Sequence, residues 1–81
     1  MIGELDLTAA VARKQDWIAL QKTVLAMPEP DREIFIRRHF LLQPVREIAA
    51  AVSMNEKQVK NRLYQSRLKL KKQLIRKGVT L

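Results

Sequence analysis

Residues 44–63 have the sequence PVREIAAAVSMNEKQVKNRL, in which a short apolar segment and a basic segment lie on either side of a polar turn. The apolar residues of the first segment recur at intervals of three and four, which predicts a helix of about two turns that begins at Pro44 and ends at Ser53. Asn55 and Gln58 have the spacing of a capping box, which predicts that another helix starts there. Two helices joined by so short a turn indicate a helix-turn-helix motif.

The second helix of this motif is expected to be long, because no residue that breaks a helix follows before Gly78. It is predicted to cover residues 56–77. At about 100° per residue, five of its residues align on one side, which must face the core. They are Val59, Leu63, Ser66, Leu70 and Leu74. Ile48 and Ala49 of the preceding helix are expected to pack against the first of them.

Two more helices are predicted before the motif. Apolar residues at helical spacing indicate one over residues 16–27, which Pro28 and Pro30 close. The next begins at about Pro30 and ends before Pro44. No segment has the alternating pattern of a strand, so we expect the fold class to be all-α: a four-helix bundle with a C-terminal helix-turn-helix and a long recognition helix. The aromatic residues expected in its core are Trp17, Phe35 and Phe40.

The length and the charge of the chain limit what it can do. Its 81 residues form one small domain, too short for a core and a deep substrate pocket, so we expect no enzyme and no catalytic residues. The whole formal net charge of +8 comes from residues 55–81, which contain nine basic residues and one acidic residue, Glu56. This asymmetry is typical of proteins that bind polyanions.

Other ligands and locations are disfavoured by the composition. With no cysteine and a single histidine, His39, the sequence offers no metal site, and we expect no cofactor and no small-molecule substrate. No stretch approaches the roughly 20 apolar residues that span a bilayer, and Glu4 and Asp6 lie where a signal peptide would be basic. We therefore expect a cytoplasmic chain that does not bind membranes.

The side of the long helix opposite the buried one carries candidate DNA contacts. Lysine can donate to guanine, asparagine can bond adenine, and an aromatic ring can contact a thymine methyl group, so four residues suit the major groove. These candidate base readers are Lys57, Lys60, Asn61 and Tyr64. Candidates for phosphate contacts are Asn55, Arg62, Gln65 and Arg67. Phosphate contacts would position the helix, and base contacts would specify the sequence.

Three segments of this sequence resemble region 4 of bacterial sigma factors, especially those of the extracytoplasmic-function group. They are MPEPDREIFIRRHF (27–40), PVREIAAAVSMNEKQVKNRL (44–63) and YQSRLKLKKQL (64–74). The resemblance includes the Pro-x-x-Asp-Arg-Glu opening, the Glu47-Ile48-Ala49 triplet and the Val59-Lys60 pair, in that order.

The resemblance implies a domain that places its last helix in the major groove of the −35 promoter element, while its helical body binds the flap of the RNA polymerase β subunit. In the family, positions that match Lys60, Asn61 and Tyr64 contact DNA, and an arginine at the end of the second helix, here Arg38, assists at the phosphates. An anti-sigma factor is a further partner of such domains. Leu68 and Ile75 lie away from the core side and could bind a partner helix.

Two departures from the family pattern have consequences. Ser53 occupies a turn position where the family usually has glycine, and a residue other than glycine in a left-handed conformation costs about 1–2 kcal/mol. The promoter-melting region of a complete sigma factor is absent from this sequence. We therefore expect residues 1–15 to be a linker or interdomain remnant and residues 16–81 to be an excised domain, with a naturally split sigma factor or sigma-like regulator as the alternative.

Two other functions stay open. A response-regulator effector domain has a similar four-helix arrangement and a related Val-Lys-Asn segment, but it usually ends its recognition helix sooner. Alternatively, the chain acts chiefly as a protein-binding module that contacts polymerase or an anti-sigma factor. A monomer on an asymmetric site would favour the sigma interpretation, and a dimer on a palindrome would favour the response regulator.

Overall fold

A computed structural model describes residues 14–79 of the chain, which form four α-helices and, within that range, no strand. The helices are α1 (Lys14–Leu25), α2 (Asp31–His39), α3 (Val45–Val52) and α4 (Glu56–Arg76). The predicted all-α fold is confirmed. Helix α1 begins and ends two residues earlier than expected, so the last two residues assigned to the linker are helical. The rest of that predicted linker lies outside the described residues.

Helix α4 packs against each of the other three helices and organises the core. The five residues of its predicted inner side, from Val59 to Leu74, are all buried. Its C-terminal half contributes to an apolar cluster with Leu20 and Val24 of α1 and Phe35 of α2. Its N-terminal half contributes to a second cluster, with α2 and α3. Because one side of α4 is fixed in the core along its length, the opposite side must face solvent.

The second cluster forms the corner of the helix-turn-helix. Its buried members are Ile34, Ile48, Ala49, Val59 and Leu63. Ala49 is buried where α3 meets α4, and its small side chain lets the two helices approach closely, as the sequence predicts. The angle between the two helices therefore depends on this packing.

The turn between α3 and α4 has the left-handed geometry that glycine favours, although it contains Ser53. Ser53 has a φ of 58° and a ψ of 43°. Its amide and that of Met54 both donate to the carbonyl of Ala49. The predicted capping box follows: the Gln58 amide donates to Asn55 Oδ1 at 2.8 Å, and the Asn55 amide donates to Gln58 Oε1 at 3.0 Å. These bonds fix the residue at which α4 begins.

We expect Ser53→Gly to stabilise the domain by about 0.5–1 kcal/mol. Glycine removes the steric cost of the left-handed conformation, and the greater freedom that it gives the unfolded chain offsets only part of this gain. Thermal unfolding followed by circular dichroism measures the change. The matched control is Ala51→Gly at an exposed site inside α3, which should destabilise the domain by about 1 kcal/mol. If both variants are destabilised alike, the turn is not strained.

The aromatic residues expected in the core have different environments. Phe35 is fully buried. The prediction was wrong for Trp17 and Phe40, which are 38% and 37% exposed. Their rings pack edge to face with centroids 5.9 Å apart, where the start of α1 meets the residue after α2. Helical spacing alone does not distinguish such a surface pair from core residues, because it ignores how close each residue lies to the end of its helix.

Glu29 lies between α1 and α2, and its carboxylate accepts hydrogen bonds from the first turn of α2. Its Oε1 accepts a hydrogen bond from the Glu33 amide at 3.0 Å, and its Oε2 accepts one from Arg32 Nη2 at 3.0 Å. The Arg32 guanidinium also donates to the carbonyl of Leu25 at 3.3 Å. The Arg32 guanidinium and the Glu33 amide hold the pKa of Glu29 below its usual range. This carboxylate therefore caps α2 where Pro30 provides no side-chain cap.

Candidate nucleic-acid interface

The exposed side of α4 carries the four residues predicted to contact bases. Lys57, Lys60, Asn61 and Tyr64 are all exposed, and 52% of Tyr64 is accessible. The capping box fixes where the helix begins, and the buried side fixes its rotation about its own axis. The four side chains therefore project from one fixed surface, which we call the reading face.

Helix α4 carries further basic residues outside the reading face. The exposed ones are Arg62, Lys69, Lys71, Lys72 and Arg76. Glu56 is the acidic residue of this helix. A helix of 21 residues is about 32 Å long, which corresponds to about nine base-pair steps of a duplex. The positive charge is thus spread over a length that suits an extended polyanion.

Arg62, a predicted phosphate contact, is held by a carboxylate. Its Nη1 lies 3.3 Å from Oδ1 of Asp31, the first residue of α2. The Asp31 side chain is 17% exposed and that of Arg62 is 47% exposed, so the pair lies at the edge of the α2–α4 contact. The sequence does not indicate this pair, because the position of Asp31 in a first helical turn already explains its charge. The bond neutralises part of the Arg62 charge in the free domain.

We expect Asp31→Asn to make DNA binding more dependent on salt. Release of Arg62 provides one more cation for a phosphate, which steepens the logarithmic slope of affinity against salt by about 0.9. The fold should survive, since exposed ion pairs contribute about 1 kcal/mol or less. Fluorescence anisotropy titrations at several salt concentrations measure the slope. The control is the same substitution in an Arg62→Gln background, where the slope should not change. An unchanged slope with Arg62 present would contradict the prediction.

The other predicted phosphate contacts differ in accessibility. Asn55 and Gln65 are exposed, and the side-chain oxygen of Asn55 is engaged in the capping box. Arg38 is half-buried and donates to the carbonyl of Gln43 at 3.4 Å, which ties it to the loop before α3. Arg67 is half-buried, with Nε and Nη1 shielded from solvent. Arg67 is therefore less available to a phosphate than its position on the helix predicts.

A second candidate surface, which no sequence pattern indicates, lies between α1 and α2. It is a shallow apolar groove lined by Gln21, Val24, Leu25, Ile36 and Phe40. Leu25 is 63% exposed there, because it follows the buried Val24 by one residue and so points away from the core. Phe40, which follows α2 and also lines the groove, is exposed as well. Neighbouring exposed apolar side chains are typical of a protein-contact surface.

Other kinds of site find little support in the described part of the chain. Within residues 14–79, no group of three or more histidine, aspartate or glutamate side chains is placed to hold a metal ion. None of the helices in that range combines the length and the apolar character that crossing a bilayer requires. Within these residues, the two candidate surfaces are the basic exposed side of α4 and the apolar groove between α1 and α2.

The four helices and the exposed basic side of α4 define an all-α helix-turn-helix domain. Comparison with protein families identifies it further: the sequence matches Sigma-70, region 4 over residues 17–70. Because this match covers more than half of the chain, the protein belongs to the sigma-70 region 4 family, and it is a domain of the sigma-factor type. Comparisons with curated proteins and with solved structures gave no match.

Proposed function

We propose that this chain binds the −35 promoter element through the reading face of α4, as part of a cytoplasmic sigma factor of the extracytoplasmic-function group. The observation that carries the proposal is the joint exposure of Lys57, Lys60, Asn61 and Tyr64 on a helix whose other side is buried. The domain performs no chemistry of its own. Its role is to position polymerase on a promoter.

The reading face has the groups that this role requires. Lys57 and Lys60 donate to guanine acceptors, Asn61 bonds an adenine edge, and Tyr64 contacts a thymine methyl group or a sugar. Exposed lysines further along the helix, such as Lys69 and Lys72, supply the attraction to phosphates that does not depend on sequence. The second helix of a helix-turn-helix motif lies in the major groove when the motif binds DNA.

Selection from a randomised duplex library at moderate salt tests this function. We expect the purified 81-residue chain to enrich one short asymmetric sequence, as a monomer that docks a single helix would. Enrichment of a palindrome would favour a response-regulator type of transcription factor. No enrichment would leave protein binding as the main activity of the domain.

The groove between α1 and α2 is the surface that we assign to the flap of the RNA polymerase β subunit. Its apolar lining and the exposure of Leu25 and Phe40 fit an apolar segment of a protein partner. The groove is formed by helices other than the one that carries the reading face, so one domain can hold polymerase and DNA together. An anti-sigma factor as a second protein partner rests on the family resemblance alone.

Leu25→Lys is expected to weaken binding of a purified β-flap fragment at least tenfold, because it places a charge against apolar surface. DNA affinity should not fall, since Leu25 lies on α1 and not on α4. Leu42→Lys is the matched control: Leu42 is a 75% exposed leucine that does not line the groove. Isothermal titration calorimetry measures both affinities. Equal losses in the two variants would argue against the groove as the flap site.

A further inference from the structure

Two apolar side chains on the exposed side of α4 have no role in the core or in the reading face. Leu68 is 43% exposed and Ile75 is 54% exposed, whereas Leu63, Leu70 and Leu74 of the same helix are buried. Both are large apolar groups on a helix rich in lysine, at positions where a charged residue would be better solvated.

Leu68 lies in line with the reading face. It follows Tyr64 by four residues and Asn61 by seven, which places it about 20° from Asn61 around the helix axis. Along the axis it lies about 10 Å beyond Asn61, which equals about three base-pair steps. A helix that lies along the major groove would therefore bring Leu68 over a base pair about three steps from the one that Asn61 contacts.

A leucine side chain can make only apolar contacts in the groove. It has no donor or acceptor, and the apolar group that the major groove offers is the C5 methyl group of thymine. Lys71 and Lys72, which follow Leu68 by about one turn, are exposed and within reach of the phosphates that border such a base pair. Ile75 lies about another 10 Å along the axis, next to the last residue of α4 and far from the N-terminal turns that a recognition helix places against base edges.

We propose that Leu68 is a further specificity-determining residue, which contacts the C5 methyl group of a thymine at the edge of the recognised sequence. This inference rests on the proposed function, because it requires that α4 lies in the major groove. It extends the reading face by one turn, from Tyr64 to Leu68, and predicts a thymine about three steps from the base pair that Asn61 contacts.

The experiment replaces each thymine of the selected duplex in turn by deoxyuridine, which lacks only the methyl group. For the unmodified protein, we expect replacement of the thymine that Leu68 contacts to weaken binding about fourfold. This is the effect of removing one methyl group from an apolar contact. Leu68→Ala should bind the thymine and deoxyuridine duplexes at that position equally well. Circular dichroism checks that the variant, which changes an exposed residue, is folded.

Ile75→Ala is the matched control and should retain the full fourfold loss at the same position. The proposal is overturned if Leu68→Ala shows the same loss as the unmodified protein, or if no deoxyuridine replacement depends on residue 68. It is also overturned if Ile75→Ala and Leu68→Ala behave alike. Failure of the proposed function itself gives a different result, since the unmodified protein would then select no duplex.

Discussion

Replacing Lys60 and Tyr64 together by alanine is expected to lower the affinity for the selected duplex about 100-fold. The two side chains project from adjacent turns of the exposed side of α4, and a good contact to a base edge contributes about 1–3 kcal/mol of discrimination. Affinity for a scrambled duplex should fall much less, because removal of one cation weakens only the part of binding that does not depend on sequence. Fluorescence anisotropy with both duplexes measures the ratio.

The control for this double variant is Lys22→Ala, which removes one exposed cation from α1. It should change both affinities by less than about threefold, since a cation away from the interface acts only through screened, long-range attraction. If the double variant keeps its preference for the selected duplex, Lys60 and Tyr64 do not contact the bases that determine this preference. If binding of the β-flap fragment is retained while DNA binding is lost, the fold and the polymerase surface are intact.

Phe35→Ala is expected to destabilise the domain by about 3–5 kcal/mol, the largest effect on stability that we predict. Phe35 is fully buried and packs in one cluster with Leu20 of α1 and Leu70 of α4. Truncation of such a ring loses its burial and leaves a cavity. A small domain has little stability beyond this amount, so the variant should be largely unfolded at 37 °C.

Phe40→Ala is the matched control for this loss, because it removes the same ring from a site that is 37% exposed. Its cost should be clearly smaller, since less surface is returned to water. Urea denaturation followed by circular dichroism measures both free energies of unfolding. Equal costs would contradict the burial that the structure assigns to the two rings.

The sequence predicts the inner side of α4 well because that helix is long and its apolar residues keep a regular spacing over five positions. Its start is equally well signalled, because Asn55 and Gln58 can satisfy each other's backbone amides only at the first turn of a helix. The exposure of Lys60 and Tyr64 then follows from the geometry of the helix. The fold and the direction of the reading face are therefore readable from local patterns.

Features that depend on contacts between distant residues are less predictable. The Arg62–Asp31 bond joins residues 31 positions apart, so no local pattern indicates it. The shielding of Arg67 depends on packing that a helical wheel does not describe. Phe40 has core spacing but lies beyond the last residue of α2, where it pairs with Trp17 at the surface. These differences change which arginines are available for phosphates and reveal the groove beside Phe40.

The turn illustrates a conflict between local preference and the overall fold. Serine is unfavourable at a φ of 58°, yet Ser53 adopts this value because Ile48 and Val59 must meet in the corner between α3 and α4. The cost of about 1–2 kcal/mol is offset by the packing of the buried cluster. The sequence identifies Ser53 as the strained position. In the structure, the turn has the left-handed geometry that glycine favours.

NMR mapping of the complex determines whether the exposed side of α4 is the DNA interface. The amide signals of the chain, labelled with ¹⁵N, are followed as the selected duplex is added. We predict that the largest shifts fall on residues 55–68, with the side-chain amide of Asn61 among them, and that residues around Leu25 in the α1–α2 groove change little. Largest shifts in α1 and the groove, with α4 unaffected, would show that DNA binds to another surface of the domain.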